Sequence, residues 1–502
     1  MPTSHFAEII KEFKLSETFP EKVLKEASEV SAKVSPEEIK GRKDLRSLLT
    51  VTIDGETAKD FDDAISVKRN ESGYTLWVSI ADVSHYVRPK SLLDEEAMSR
   101  ATSVYFPGEC LPMLPEKLSN GICSLNPHED RLTFTAEIDF DAQGRRIGSS
   151  FYKSVIKSAA RLTYTIVRQV LVDKDESVRQ KWSSVVNDLM LMEELADRIG
   201  VQRTERGSID FDLPEPEIIQ NLEEGTVEKI VRSERNKAHK LIEEFMIAAN
   251  EAVATFIAEK KQPSLYRIHD KPDAEKISGF SELLHHLGIP FRIGKQISPA
   301  SFSTLLRQIK GRPEERLINT MLLRSMKQAV YDTDNIGHFG LASDCYTHFT
   351  SPIRRYPDLV VHRTLSKVLD GKRGGDKGNE EGELKQLAKH CSEHERVAMK
   401  AEYASRDKIS CLFMKEKKGE VYEGIIAGVT KFGLFIELIP FFVQGLLPIR
   451  KLKDDYYVFI EKNQVLVGRK KKRRFQIGDR LTVQVVGVNM DKRWIDFELK
   501  ND

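Results

Sequence analysis

The stretch Ile53-Asp54-Gly55-Glu56-Thr57-Ala58-Lys59-Asp60-Phe61-Asp62-Asp63-Ala64 puts four aspartates within ten positions, between the β-forming residues Leu48 to Ile53 and Ile65 and Val67. Like charges confined to a small volume repel and raise one another's pKa. The acids therefore either point into water or surround a hard cation. Oxygen-only ligation, with no neighbouring His or Cys, suits magnesium, with manganese as the alternative, and not zinc. An EF-hand frame would need alternating acids, a central Gly and a Glu at its twelfth position, and it fails here. Gly55 follows Asp54 where a strand end must turn. Phe61 and Ala64 alternate with the acids, so part of the run is buried and its carboxylates need partners.

Outward from this run, period-two alternation over Tyr74 to Val83 and Leu132 to Phe140 predicts antiparallel strands, with no βαβ rhythm across residues 46–165. The Pro-containing segments Thr102 to Pro107 and Leu111 to Pro115 exclude a central strand or a helix interior. Tyr105 within them reads either as a ring that stacks on a base or as ordinary packing. Residues 180–260 turn helical, with Leu241, Phe245, Ala248, Ala249, Ala252 and Phe256 on one face. Glu243 and Glu244 stand beside that stripe, either as a solvated pair or with one acid aimed into a groove. Upstream, Gly207 to Asp212 reads as a short strand or turn with Phe211 in the core. A further helix is expected near Asn319 to Tyr331, a glycine-rich loop over Asp370 to Glu383, and a helix over 384–417 that carries Glu402. Residues 1–45 read as short helices that cluster Ile9, Ile10, Phe13 and Leu15 and bear no chemistry.

A second dense stretch runs from Tyr346 to Arg363. Ser351-Pro352 reads as an N-cap and first helical turn. Arg354 and Arg355 would then stand near a helix N-terminus, where the macrodipole disfavours cations. Cations so placed point to a phosphate, or else to surface ion pairs.

Residues 418–500 change character. Five short strands (Val421 to Val429, Gly433 to Leu438, Val443 to Ile449, Leu481 to Val488, Trp494 to Leu499) fit a small closed barrel of the OB type. Phe432, Phe435, Tyr456 and Tyr457 interleave with Lys431, Arg450, Lys451 and Lys453, a pattern that stacks single-stranded bases in a basic groove. The run Arg469 to Arg474 reads either as a targeting signal or, inside a barrel loop and preferred here, as a phosphate grip. Residues 421–502 hold 15 Lys and Arg against 10 Asp and Glu, while the whole chain carries only +1. The C-terminal part is thus the better partner for a polyanion.

Five scattered cysteines without a C-x-x-C pair argue against disulfides or zinc and for a reducing cytoplasm. The N-terminus is too charged for a signal peptide. The most apolar stretch, Leu434 to Ile449, is interrupted by Glu437, Pro440, Gly445 and Pro448, so no membrane span is expected.

The motifs Thr52 to Gly55 with Asp60 to Ala64, Ile80 to Ser84, Thr102 to Pro107, Ala238 to Glu244 and Phe349 to Asp358, in that order, resemble the ribonuclease R branch of the ribonuclease II (RNB) superfamily of 3′→5′ exoribonucleases. The resemblance runs from about residue 40 to 500. It implies an α+β fold: a helical N-terminal segment (1–45), an RNB catalytic domain of antiparallel strands and surrounding helices (46–415), and an OB-fold RNA-binding barrel (418–502). It implies that Asp54, Asp60, Asp62 and Asp63 hold two divalent cations and position the attacking water. Arg354 and Glu402 match catalytic residues. Tyr105 matches the ring stacked on the 3′-terminal base and Phe211 the aromatic at the far end of the threaded bases. Tyr164 and Glu243 match ribose contacts, with Glu244 left open as the alternative. Arg355, Lys431, Phe432 and Phe435 complete the expected RNA-binding set. The implied partner is single-stranded RNA, including mRNA, rRNA and tRNA fragments, acted on by a cytoplasmic monomer. Cold-shock-type domains usually precede the RNB module in this branch and 45 residues cannot hold one, so altered funnelling of substrate is expected. The rival readings are an RNA-binding module without nuclease activity and, more weakly, a metal-dependent DNA exonuclease.

Overall fold

The computed structural model describes residues 6–210, 215–221, 226–233, 236–291, 297–312, 314–371, 377–461 and 464–500. After a short charged strand β1 (Lys43–Asp44), β-branched and aromatic residues build β2 (Val51–Asp54), β3 (Asp63–Arg69) and β4 (Gly73–Ala81). After a short hairpin of β5 (Val104–Phe106) and β6 (Glu109–Leu111) come β7 (Asp130–Asp141), β8 (Arg146–Lys157) and β9 (Ala160–Thr163). Seven of these form one sheet in the order β1-β8-β7-β4-β3-β2-β9. Its centre is antiparallel, as the alternation predicts, but both edges pair in parallel, β1 with β8 and β2 with β9. The second of these pairings sets the site, because its register brings Thr163 beside Asp54. The Thr163 hydroxyl then caps the helix Tyr164–Leu171 and starts it next to the acid run.

The helix Lys237–Glu259 is capped by Asn236, whose side chain accepts from the N–H groups of Ala238 and His239. Its stripe of Leu241, Phe245, Ala249 and Ala252 is buried in the core shared with the sheet. The predicted helical region 180–260 is interrupted, however. Between the helix Val186–Arg206 and the helix Lys237–Glu259 lies a hairpin, β10 (Glu215–Asn221) and β11 (Thr226–Ser233). The helix expected near Asn319 spans Glu315–Ser325, and Tyr331 instead lies in β13 (Val330–Asp332), paired with β12 (Tyr266–Ile268). The loop expected over 370–383 already becomes helix at Lys377, the start of a long helix to Lys415.

The closed barrel is confirmed: β14 (Val421–Thr430), β15 (Gly433–Leu438), β16 (Gln444–Pro448), β20 (Arg480–Asn489) and β21 (Trp494–Leu499). Between β16 and β20 it carries a small sheet that the strand pattern did not reveal, β17 (Tyr457–Ile460), β18 (Val465–Gly468) and β19 (Arg474–Gln476). Tyr457, expected in the stacking groove, is instead buried and packs on Phe475 at 5.3 Å between ring centroids.

The N-terminal cluster also gains a purpose. Phe6, Ile9 and Ile10 pack beneath Val104, Phe106 and Leu111 of the β5–β6 hairpin and against Ala398 and Ala401 of the long helix. They wedge together the elements that carry Tyr105 and Glu402. Among the described residues, no helix is long and apolar enough to cross a membrane.

Candidate active site

Burial of one ring shapes the acid run. Phe61 is 3% exposed; its N–H donates to Ser124 Oγ at 3.0 Å, and the guanidinium of Arg161 lies 5.0 Å above its ring. Arg161, on β9, also donates to the carbonyl oxygens of Glu56 and Ala58. The loop from β2 to β3 is thus pinned at its middle and at its end, and the four aspartates project around that anchor. Asp54 Oδ1 accepts from the Gly55 N–H at 2.7 Å. Asp62, 3% exposed, accepts through Oδ1 from the Ile353 N–H at 2.8 Å, and its Oδ2 lies 3.5 Å from Arg354 Nε.

Desolvation dominates the electrostatics. Burial holds the Asp62 carboxyl well above the ordinary carboxylate range despite the pull of Arg354. Burial, and then the charge of Asp54, pushes Asp63 up to about 7. Asp54 is raised as well, again chiefly by burial. Asp62 Oδ2 and Asp63 Oδ2 are buried oxygens without a hydrogen-bond partner. Uncompensated carboxylate oxygens of this kind are costly unless a cation meets them. Among the described residues, no three His, Cys, Asp or Glu side chains are already drawn into a closed ligand set. The oxygen-only donors, two of them orphaned, still fit a hard divalent cation that would draw them together.

Arg354 reaches this cluster from an unexpected backbone. The helix begins at Tyr356 with Arg355 as its N-cap residue, four positions later than Ser351-Pro352 would have it. The cause is Asp358. Its fully buried carboxylate accepts from the Ser351 N–H at 2.8 Å and from Arg355 Nε and Nη2 at 2.9 and 2.8 Å, and so folds residues 351–354 into a turn. Arg355 is therefore engaged in a bidentate pair, although it also lines the cavity described below. Arg354 is half exposed. It bonds Ser351 Oγ at 3.1 Å, and its carbonyl accepts from the Ser103 N–H at 3.0 Å, which ties the β5–β6 hairpin to the cluster.

Two surroundings meet at Asp62 and Arg354. On one side Tyr105, 41% exposed, points its hydroxyl at Asp60 Oδ2 (3.4 Å), and its N–H donates to Glu402 Oε1 (3.0 Å). On the other, a cavity of about 240 Å³ is lined by Asp54, Asp63, Tyr164, Glu243, His348 and Arg354 among others. Burial separates the two glutamates, although Glu243 Oε1 also lies 3.5 Å from Arg203 Nη2. Glu244 is locked in a bidentate pair with Arg203, whereas Glu243 faces the cavity. Tyr164 stacks on His239 at 3.9 Å. Sequence reasoning had passed over His239, although its place in the N-terminal capping box was visible as Asn236 followed by His239. It had also missed Arg161 and His348. Phe211 lies outside the described residues. Lys431, Phe432 and Phe435 sit at the β14–β15 turn, with Lys431 and Phe432 exposed and the two rings edge-on at 6.0 Å; they do not line this cavity.

The RNB domain family matches residues 42–371, and the S1 RNA binding domain family matches residues 415–500. The chain belongs to the RNB family. Within that family it is similar to ribonuclease R of Aquifex aeolicus, 44% identical over 492 residues that cover 98% of this chain and 69% of the relative. It is 47% identical to ribonuclease R of Escherichia coli over 475 residues, 92% of this chain but only 58% of that protein. The chain thus spans less than two thirds of that relative's length. Its RNB fold superposes on the apo form of Mycoplasma genitalium RNase R with a TM-score of 0.91 at 33% identity, covering 99% of this chain and 77% of the other.

Proposed function

We propose that this chain is a 3′→5′ exoribonuclease that hydrolyses single-stranded RNA processively to 5′-mononucleotides, with residues 46–415 as the catalytic unit and 418–502 as an RNA-binding barrel. The observation that carries the reading is the orphaned, buried carboxylate oxygens on Asp62 and Asp63, with the Arg354 guanidinium 3.5 Å from Asp62, beside a cavity that holds Tyr164 and Glu243. An idle domain would not be expected to keep such costly groups together. Relatives named ribonuclease R support it, as do structures of M. genitalium RNase R with ribose-methylated single-stranded RNA and with double-stranded RNA.

Asp54, Asp60, Asp62 and Asp63 would hold the divalent cation, magnesium in this reading with manganese as its substitute. Such a cation acidifies a water and neutralises charge at phosphate oxygens. The remaining roles belong to the chain. Arg354, steadied by Ser351 Oγ, meets the charge that builds on the scissile phosphate. Tyr105 offers its exposed ring to the terminal base, and Glu402 holds the Tyr105 backbone in place. Tyr164 and Glu243 read ribose hydroxyls, which favours RNA over DNA without base preference. The barrel's Lys431, Phe432 and Phe435 grip single strands before they enter the site. A cytoplasmic monomer acting on mRNA, rRNA and tRNA fragments completes the proposal.

Digestion of a 5′-labelled single-stranded RNA with magnesium tests it. Shortening from the 3′ end to a very short 5′ product, with release of 5′-mononucleotides, is expected. Intact RNA that is nonetheless retarded on a native gel would favour the binding module instead, and equal rates on matched DNA would overturn the ribose roles of Tyr164 and Glu243.

A further inference from the structure

His348 lines the same cavity as Arg354, Arg355, Tyr164 and Glu243. Its Nδ1 lies 2.7 Å from the hydroxyl of Tyr331. Tyr331 is 5% exposed, and among the described residues its hydroxyl has no other hydrogen-bond partner. If Nδ1 carried the ring proton, the phenol's own proton would be buried without an acceptor. The satisfied arrangement therefore has Tyr331 donating to Nδ1, which leaves the ring proton on Nε2. Nε2 lies on the opposite edge of the imidazole, takes no hydrogen bond among the described residues, and is not one of the buried atoms left without a partner. Tyr331 is not part of the cavity wall and His348 is, so the free edge is the one turned to the cavity.

The surroundings keep this ring neutral. Burial comes first, and then the positive charges of Arg355, Arg267 and Arg354 together with His338, which hold His348 well below the ordinary histidine range. A neutral donor set among arginines suits an anionic oxygen better than a hydroxyl, because the arginines already draw phosphate into that wall.

Resting on the exoribonuclease reading above, we propose that Tyr331 fixes His348 as its Nε2–H tautomer and that this N–H donates to a non-bridging phosphate oxygen of the RNA strand in the cavity. His348 is on this account a contact to the substrate backbone, and Tyr331 is the residue that positions it.

The test uses the whole chain with magnesium on a single-stranded RNA and on the same RNA carrying 2′-deoxyribose in its last nucleotides. Loss of a hydrogen bond to a charged oxygen should lower kcat/KM of His348→Ala by about 10- to 100-fold, by the same factor on both substrates. His348→Gln, whose amide N–H substitutes for Nε2–H, should recover most of it, and Tyr331→Phe should fall between. Nitrogen NMR of the parental imidazole, assigned by its disappearance in His348→Gln, should show the Nε2–H tautomer unchanged from pH 7.5 to 5.5. This readout does not depend on activity, and it decides the tautomer even where His348→Ala fails to fold. Folded His348→Ala with parental kcat/KM, or an Nδ1–H tautomer, would overturn the proposal. A loss confined to the all-ribose substrate would overturn the phosphate contact. An inactive parental enzyme would instead sink the exoribonuclease reading itself, with the tautomer still measurable.

Discussion

The backbone N–H of Tyr105 donates to Glu402 Oε1 at 3.0 Å, joining a hairpin tip to a helix nearly three hundred residues further along the chain. The Tyr105 ring stays 41% exposed while its backbone is held from behind. Glu402→Gln keeps a carbonyl acceptor and Glu402→Ala does not. Binding of an RNA 3′ end, measured by fluorescence anisotropy in EDTA, should therefore weaken about 10-fold in the alanine variant and within about 3-fold in the glutamine variant. Equal losses in both would mean that the charge of Glu402, and not its grip on the hairpin, is what matters.

Neighbouring glutamates on one helix should behave oppositely. Glu244 and Arg203 are buried partners, with side chains 9% and 8% exposed. Glu244→Ala leaves the buried Arg203 guanidinium with the 3.5 Å contact to Glu243 and the bond to Ser208, and should cost about 3 kcal/mol, read as a lower denaturation midpoint. Glu243→Ala loses the longer, more exposed contact to Arg203 and should cost about 1 kcal/mol or less, yet narrow the preference for RNA over DNA in competition digests. A stability loss in the second variant matching the first would contradict the assignment of the two side chains.

Acid should destabilise the protein through its partly desolvated histidines. Burial lowers His338 to about 3 from an ordinary value of 6.5, and it lowers His269 and His362 as well. A depressed folded-state pKa means that only the unfolded chain takes up the proton over this window. Stability from His338 is thus complete above pH 6.5 and drains away as pH falls toward 3. Between pH 7.5 and 5.0 the share of this one group is roughly 2 kcal/mol. His338→Asn should flatten the urea-midpoint dependence over that interval by this amount, and an unchanged slope would show that His338 does not stay neutral when folded.

The sequence made some of this legible for local reasons. Alternation of Phe61 with Asp60 and Asp62 announced a buried anchor inside an acid run, and Phe61 is that anchor. The barrel was readable because each of its five strands carries its own alternation. What escaped depended on partners distant in the chain. The parallel pairing of β2 with β9, which brings Thr163, the cap of the Tyr164 helix, beside Asp54, has no trace in either strand's own pattern. The late start of the helix at Tyr356 follows from where the Asp358 carboxylate spends its bonds, on the Ser351 N–H and on Arg355, against a local Ser-Pro signal that favours an earlier one. Tyr457 read as a stacking ring because aromatics among lysines look alike whether they face RNA or a small sheet's own core. His348 carried no signal of its own, since its meaning lies in the Tyr331 hydroxyl behind it.

The most direct test of the site is to measure cleavage and binding side by side for the parental chain and Asp62→Asn. The substitution keeps a carbonyl oxygen to accept from the Ile353 N–H but removes the buried charge next to Arg354. Degradation of single-stranded RNA in magnesium should fall by on the order of 100-fold or more, to the level seen with EDTA, while RNA affinity stays equal or tightens as repulsion of phosphate declines. An Asp62→Asn variant that digests RNA at the parental rate would contradict the placement of hydrolysis at this carboxylate cluster.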